Sequence, residues 1–131
     1  MTDLEQAQAN GIAPWDLVVK DLCDLHTTVF RDRFPVTNGH LLFVPNHNTL
    51  DIIQQAFYSA TLHGDLLVKT GMCDAYNVGI NMGSAAGQTV MYPHVHLIPR
   101  RVGDCANPVG GVRGVIHGQA DYKSGGYQLP K

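Results

Sequence analysis

The chain has 131 residues, a length that favours a single domain, and its 9 Lys and Arg against 11 Asp and Glu give a net charge of −2. A nearly neutral chain lacks the basic patch of a nucleic-acid-binding protein, so we expect no nucleic-acid partner. The apolar fraction of 44% is typical of a globular domain, and no apolar run reaches the ~18 residues of a membrane span.

Two further features bear on the cellular compartment. The start of the chain lacks the basic residues and the apolar stretch of a secretory signal. Cys23, Cys73 and Cys105 are odd in number and widely separated, and no pair has the C-x-x-C spacing of a zinc knuckle. We therefore expect a cytoplasmic protein with no disulfide framework and no membrane contact.

The first part of the chain predicts a short helix followed by short strands. Residues 2–10 have an amphipathic pattern, and Thr2 and Glu5 have the spacing of a capping box. Runs of β-branched and aromatic residues then predict three strands, at 17–20, 27–31 and 41–45.

The middle of the chain predicts one long helix between strands. Thr49 is placed to cap a helix over 50–62, whose apolar residues recur at helical spacing and are interpreted as core packing: Ile52, Ile53, Ala56, Phe57 and Ala60. Two further strands are predicted at 76–82 and 89–100. Since the connections are short, we expect an α+β domain with an antiparallel sheet of about five strands and helices on one face.

The composition changes after Arg101, because residues 103–131 are rich in glycine and show little periodicity. We expect this segment to be an irregular tail of one domain that spans 1–131.

The strand predicted at 89–100 contains two histidines one residue apart. Because successive side chains of a strand alternate between faces, Tyr92, His94 and His96 are expected on one face, with the histidines about 7 Å apart. The other face is apolar and suits a core: Met91, Pro93, Val95 and Leu97. A neutral imidazole can act as a nucleophile, an acid or a metal ligand. The spacing alone is equally consistent with two polar side chains on a solvated face.

The residues around these histidines resemble the histidine triad (HIT) superfamily of nucleotide hydrolases and transferases. Its signature is His-φ-His-φ-His-φ-φ, with φ apolar, after Gly-Gln-Ser/Thr-Val. Here residues 87–90 read Gly-Gln-Thr-Val and residues 92–98 read Tyr-Pro-His-Val-His-Leu-Ile. Other blocks resemble the family in the same order, at 32–47, 76–81 and 107–115. The resemblance covers about residues 15–117 and implies a HIT-like fold.

The resemblance implies a role for each triad position. His94, in the middle position, would attack the α-phosphorus of a nucleotide and form a nucleotidyl-histidine, while His96 would contact a phosphate oxygen or help to protonate the leaving group. Tyr92 stands where the family normally has His, at the position that orients the other two residues. A tyrosine there can donate a hydrogen bond but does not share a proton near neutral pH.

Five more residues match family positions. Asp32 would accept from ribose hydroxyls, Gln88 and Thr89 would contact the phosphate and the leaving group, Asn81 would contact a phosphate, and His40 would support the triad. Each also has a plainer interpretation: a surface ion pair with a flanking arginine for Asp32, a cap at a strand end or turn for Asn81, strand propensity for Thr89, and a structural histidine for His40.

The resemblance implies cleavage of a nucleoside phosphoramidate or a dinucleoside polyphosphate, with no cofactor and no metal required, by a homodimer. Two alternatives remain open. One is a nucleotide-binding or scaffolding protein with weak turnover, which Tyr92 favours. The other is a metal-binding domain that uses His94, His96 and either His40 or His47.

Overall fold

A four-stranded antiparallel sheet forms the centre of the computed structural model, which describes residues 1–123. The strands are β1 (Thr27–Arg31), β2 (Leu41–Pro45), β3 (Ala75–Ile80) and β4 (Val95–Arg100). Their order in the sheet is β1-β2-β4-β3. The α-helices are α1 (Asp3–Ala9) and α2 (Leu50–Lys69). The α+β class, the antiparallel sheet and the one long helix are confirmed.

The two helices cover opposite faces of the sheet, although the sequence predicts helices on one face only. On one side, Ala56 and Ala60 of α2 pack against Phe43 of β2. On the other side, Leu4 of α1 packs with Leu42 of β2. The reason is that β2 is apolar and buried at every position, as expected for a strand covered on both faces.

Helix α1 forms as the sequence predicts. The Thr2 hydroxyl accepts from the Glu5 N–H at 3.1 Å, and the Glu5 carboxylate accepts from the Thr2 N–H at 3.0 Å, which completes the capping box. The Leu4 N–H also donates to the Asn46 carbonyl at 3.1 Å. These bonds hold the N-terminal segment close to the end of β2.

The strand predicted at 17–20 is not formed, so the sheet has four strands instead of about five. This segment makes one isolated bridge, between Val18 and Phe30, and then enters a 3₁₀ turn at Lys20–Leu22. Its backbone pairing with β1 is limited to this short stretch, because the chain turns away after the Val19 N–H bonds the Val29 carbonyl.

The strand predicted at 89–100 begins only at Val95. Val95 pairs with Ile80, the last residue of β3, and with Phe43 of β2, which runs on to Pro45 without further pairing to this segment. Pro93 also lacks the N–H that a ladder requires. The expectation that Met91 belongs to the core is therefore wrong, because its side chain is exposed.

Helix α2 is longer than the predicted 50–62, and it begins differently. The Thr49 hydroxyl bonds the Asp51 carboxylate at 2.6 Å and makes no cap bond to a backbone N–H. The predicted apolar stripe is confirmed as core at Ile53, Ala56 and Ala60. Within residues 1–123, no helix is both long enough and apolar enough to cross a membrane.

The chain divides into two compact units, residues 1–101 and 102–131. The four strands and two α-helices of the described residues lie in the first. In the second, residues 102–123 contain a 3₁₀ turn at Gly111–Val115, and the Arg113 guanidinium donates to the carbonyls of Gln119 and Ala120. The part of the predicted tail at 124–131 lies outside the described residues.

Candidate active site

The site forms where three strands begin or end. Asp32 follows β1 directly and His40 precedes β2, so the antiparallel pairing of these strands brings the two residues together; the Asp32 N–H donates to the His40 carbonyl at 3.1 Å. His96 pairs across the sheet with Leu42 of β2. His40 and Leu42 are two residues apart, so their side chains lie on the same face of the sheet. Asp32, His40 and His96 therefore all lie on the face that α1 covers.

His94 directly precedes β4 and is held in one tautomer. Its Nδ1 atom lies 2.8 Å from the Tyr92 carbonyl, and the His94 ring is buried. Because a carbonyl oxygen only accepts, we assign the proton to Nδ1, which leaves the lone pair of Nε2 available. His94 therefore has the protonation pattern of a neutral nitrogen nucleophile.

His96 is held in the opposite tautomer by His40. The Val36 N–H donates to His40 Nδ1 at 3.2 Å, so the proton of the His40 ring is on Nε2. That Nε2 lies 2.9 Å from His96 Nδ1 and donates to it. The remaining proton of a neutral His96 is consequently on Nε2. His94 and His96, with ring centroids 5.1 Å apart, thus present a lone pair and an N–H donor side by side.

Burial favours the neutral form of the two hydrogen-bonded histidines, His40 and His96. It lowers the pKa of His96 to about 4, and the positive charge that His94 and His40 would carry acts in the same direction, while Asp32 opposes the shift. Burial also lowers the pKa of His40 below its usual value, against the opposing effect of Asp32. Both pKa shifts favour the neutral ring at pH 7.

Asp32 belongs to this cluster and not to a surface ion pair. Its Oδ2 atom lies 3.4 Å from His40 Nε2, and its Oδ1 accepts from the Phe34 N–H at 2.8 Å. The flanking Arg33 pairs with Asp16 instead. The carboxylate is mostly buried beside the histidines, which is a position compatible with the ribose role that the resemblance implies.

The remaining predicted substrate contacts lie in the segment that leads to His94. Asn81 follows the end of β3 that pairs with Val95, and Thr89 is exposed. Gln88 braces this segment, because its amide oxygen accepts from the Gly83 N–H at 2.7 Å and its amide nitrogen donates to the Val90 carbonyl at 3.1 Å. In this structure the Gln88 amide is therefore engaged within the loop.

Tyr92 supports His94 with its backbone and not with its side chain. The Tyr92 hydroxyl donates to the Pro45 carbonyl at 2.6 Å, and its ring packs in the core below α1. Burial raises the pKa of this hydroxyl above its usual value, with a smaller effect of Asp3 in the same direction. The group that orients His94 is the Tyr92 carbonyl, which any residue at this position would provide.

Within residues 1–123, the side chains grouped closely enough to hold a metal ion are Asp32, His40 and His96, whose ligand atoms lie within 4.8 Å of one another. His94 is not part of this group, and His47 lies near Asp3 instead. The hydrogen bonds do not favour a metal, because His40 would have to move its proton to Nδ1, where the Val36 N–H already donates.

One neighbour of His94 has no role in the sequence-based expectations. The Trp15 ring lies 4.8 Å from the His94 ring between centroids and 5.9 Å from the Phe30 ring. Trp15 is the single tryptophan of the chain and directly follows a proline ahead of β1. Those features mark it as unusual, but no periodicity relates it to the histidines.

Comparison with known proteins matches residues 18–103 to the HIT domain. Adenylylsulfatase HINT3 of Arabidopsis thaliana is 32% identical over 81 residues, which cover 56% of this chain and 41% of that protein. The asymmetrical bis(5'-nucleosyl)-tetraphosphatase of Schizosaccharomyces pombe is 34% identical over 85 residues, which cover 60% of this chain and 47% of that protein. The matched region thus spans less than half the length of either relative.

The fold comparison agrees with the sequence comparison. A zinc-bound histidine triad family protein from Mycobacterium smegmatis superposes with a TM-score of 0.63 at 28% identity, and the match covers 77% of this chain and 76% of that chain. The shared architecture extends over most of both molecules.

Proposed function

Because this chain belongs to the histidine triad (HIT) family, we propose that it is a nucleotide hydrolase or transferase that acts at the α-phosphate of its substrate. The observation that carries the proposal is the pair of opposite tautomers, with a lone pair on His94 Nε2 and a proton on His96 Nε2. A nucleophile beside a neutral hydrogen-bond donor provides both attack on phosphorus and stabilisation of the charge that develops on its oxygens.

The reaction proceeds in two displacements. His94 Nε2 attacks the α-phosphorus, a P–N bond forms, and the bond to the leaving group breaks with its electron pair on that group. Water then attacks the same phosphorus, the P–N bond breaks, its electron pair returns to Nε2, and a nucleoside monophosphate and a proton are released. Throughout, the Tyr92 carbonyl accepts the hydrogen bond from Nδ1 and stabilises the positive charge on the ring of the intermediate.

His96 acts as a hydrogen-bond donor and not as a proton source. With its pKa at about 4, the ring is neutral at pH 7, and its Nδ1 already accepts from His40. Loss of the Nε2 proton would leave an imidazolate, which is unfavourable near neutral pH. Of the two roles that the resemblance implies for His96, we therefore propose contact with a phosphate oxygen.

The role of His96 bears on the substrate. If His96 supplies no proton, leaving groups that depart as stable anions are favoured over amines, which need a proton to leave. We therefore propose a dinucleoside polyphosphate or a similar anhydride in preference to a nucleoside phosphoramidate. The names of the two curated relatives, an adenylylsulfatase and a tetraphosphatase, support this choice.

We propose four residues as the contacts of the nucleotide: Asp32, Asn81, Gln88 and Thr89. A ribose bound by the Asp32 carboxylate would lie next to His40 and the reacting histidines. Gln88 would first release the Gly83 N–H or the Val90 carbonyl. Titration of AMP and GMP against Asp32→Ala tests the first contact, and unchanged affinity for both would remove Asp32 from the site.

The function is tested by capture of the covalent intermediate. The protein is incubated with adenosine and guanosine anhydrides and phosphoramidates, with and without a chelator, quenched at neutral pH, and mapped by mass spectrometry. We expect the nucleotidyl label on His94 and faster turnover of the anhydrides. His117→Ala, at an exposed histidine, is the matched control. A label on His96, or normal labelling of His94→Ala, would overturn the assignment.

The same experiment separates the alternative of a binding or scaffolding protein. That alternative rests on Tyr92, which stands where the resemblance implies a histidine and whose hydroxyl donates to the Pro45 carbonyl and not to His94. Tight binding of AMP or GMP without turnover and without any adduct would support it against the enzyme.

A metal-binding function is the second candidate, and the cluster of Asp32, His40 and His96 favours it. A zinc ion there would be held by one carboxylate and two imidazoles, as in many zinc sites. We propose that no metal is required, because the hydrogen bond from Val36 opposes the tautomer that zinc needs at His40. Metal analysis of the purified protein, with turnover before and after chelation, decides between these proposals.

We further propose that the protein acts as a homodimer. In the described sheet β3 is an outer strand, and the neighbouring helix α2 exposes a stripe of apolar side chains, at Tyr58, Leu62 and Leu66. These residues are four apart, so they lie on one side of the helix. A second copy that pairs the same surface with itself would cover both the strand edge and the stripe.

A further inference from the structure

The segment that precedes the matched HIT domain contributes a contact to the nucleophile. The match to the HIT domain begins at residue 18, whereas Trp15 packs with its ring 4.8 Å from the His94 ring at an interplanar angle of 58°. The same indole packs 5.9 Å from Phe30, which is fully buried in β1. Trp15 thus connects the core of the sheet to the imidazole of His94.

Trp15 is held on both sides by the chain around it. Before it, Ala13 is buried in the same core cluster and its N–H bonds the Ala7 carbonyl at 3.2 Å. After it, Asp16 pairs with Arg33. The position of the indole is therefore set by both flanks of the segment, and it is not that of a side chain on a free loop.

We propose that Trp15 is a positioning residue that holds the His94 imidazole for attack, an inference that rests on the proposed role of His94 as nucleophile. His94 contacts the Tyr92 carbonyl through Nδ1, the ring of His96 and the indole of Trp15. The hydrogen bond fixes the tautomer, and the two rings restrict rotation of the imidazole. Together they leave Nε2 as the reactive atom.

The physical effect of Trp15 is to restrict the orientations of the His94 ring and so the direction of its Nε2 lone pair. Effective attack on phosphorus requires the Nε2 lone pair in line with the bond that breaks, and a displacement of about 1 Å can cost about 100-fold in rate. A truncated side chain at position 15 would leave space into which the imidazole could turn. Substrate affinity would change little, because the residue acts through His94 and makes no proposed contact with the nucleotide.

The first test reads the imidazole itself and does not depend on activity. Proton–nitrogen NMR spectra of the histidine side chains are recorded for wild type, Trp15→Phe, Trp15→Leu and Trp15→Ala. We expect one His94 tautomer, with the proton on Nδ1, in wild type and in Trp15→Phe, and mixed tautomers or broadened signals in the other two. Trp15→Leu keeps most of the buried volume in case the alanine variant does not fold. An unchanged, sharp His94 signal in Trp15→Leu would overturn the proposal.

The second test separates positioning from substrate binding and from folding. In Trp15→Leu we expect kcat to fall about 10- to 100-fold with KM nearly unchanged, and Trp15→Phe to recover most of kcat. Leu17→Ala, an exposed residue of the same segment, is the matched control and should retain wild-type values. A rise in KM with kcat retained would overturn positioning, since Trp15 would then contact the nucleotide. Absence of an adduct in the wild-type protein would instead contradict the proposed function and leave the NMR result to judge Trp15.

Discussion

At the scale of single residues, the two reacting histidines differ because their hydrogen-bond partners differ. His94 bonds a backbone carbonyl, and His96 bonds the Nε2 proton of His40. A carbonyl selects the Nδ1–H tautomer, while a ring N–H donor selects the Nε2–H tautomer. Two identical side chains thereby present a lone pair on Nε2 in His94 and a proton on Nε2 in His96. The alternation of side chains along a strand does not reveal this difference.

Substitution of each histidine should therefore have a different kinetic consequence. His94→Ala removes the only proposed nucleophile, so we expect kcat to fall by about 1,000-fold or more and the adduct to disappear, a loss of about 4 kcal/mol in transition-state stabilisation. His96→Ala removes one donor to the phosphate, and we expect a loss of about 100- to 1,000-fold with the adduct still detectable. Single-turnover rates measured with both variants check the difference. Equal losses with no adduct in either variant would contradict it.

The neutral state of His96 predicts that stability depends on pH. Its pKa is about 4 in the folded protein and near 6.5 when unfolded, so the unfolded chain binds more protons between these values. The free energy of unfolding should consequently fall as the pH is lowered from about 6.5 to 4, with no contribution from His96 above that range. Urea unfolding at a series of pH values measures this slope, and His96→Gln should reduce it. The exposed control His117→Gln should not. A slope that is the same in wild type and His96→Gln would exclude His96 as its source.

At the scale of elements, helix α2 approaches β3 at a glycine. A Cβ atom on Gly64 would lie 2.8 Å from three ring atoms of Tyr76, so any larger residue would displace this tyrosine, whose hydroxyl donates to Asp65. We expect Gly64→Ala to lower the free energy of unfolding by about 1 kcal/mol, because the packing cost of ~2 kcal/mol exceeds the gain of ~1 kcal/mol in helix propensity.

A double-mutant cycle separates these two effects on the unfolding free energy. In a Tyr76→Ala background the clash is absent, and the same Gly64→Ala substitution should become stabilising. Urea unfolding of the four proteins provides the comparison. If Gly64→Ala stabilises the wild-type chain as well, the close approach of α2 and β3 is not as tight as the structure has it.

The elements also differ in how well the sequence predicts them. Helix α1 is predictable because Thr2 and Glu5 cap it locally. The start of β4 is not, since it depends on pairing with two other strands: Val95 is the first residue that pairs with Ile80 of β3 and with Phe43 of β2. The same distinction applies to the site. The proximity of His94 and His96 follows from their spacing in the sequence and can be predicted. The hydrogen bond from His40 to His96 and the packing of Trp15 on His94 depend on the tertiary structure and cannot.

At the scale of the whole molecule, the surface formed by α2 and the outer strand β3 carries a prediction about assembly. The side chains of one helix face are largely exposed: Tyr58 is 65%, Leu62 57% and Leu66 54% exposed. Exposure of so many neighbouring apolar side chains to water is unfavourable unless another surface covers them. We expect light scattering to give about twice the chain mass of 14.3 kDa. Leu62→Glu combined with Leu66→Glu places like charges at the centre of the symmetric contact and should shift the mass to that of one chain.

The control for this prediction is a leucine that is exposed elsewhere. Leu25 lies before β1, outside the stripe of Tyr58, Leu62 and Leu66, and is 84% exposed, so Leu25→Glu adds one negative charge at an apolar position outside the proposed interface. It should leave the measured mass at twice the chain mass. A wild-type protein of single-chain mass across the concentrations used for turnover would contradict the homodimer. A mass that falls equally in Leu25→Glu and in the double variant would show that charge alone, and not the α2 stripe, governs association.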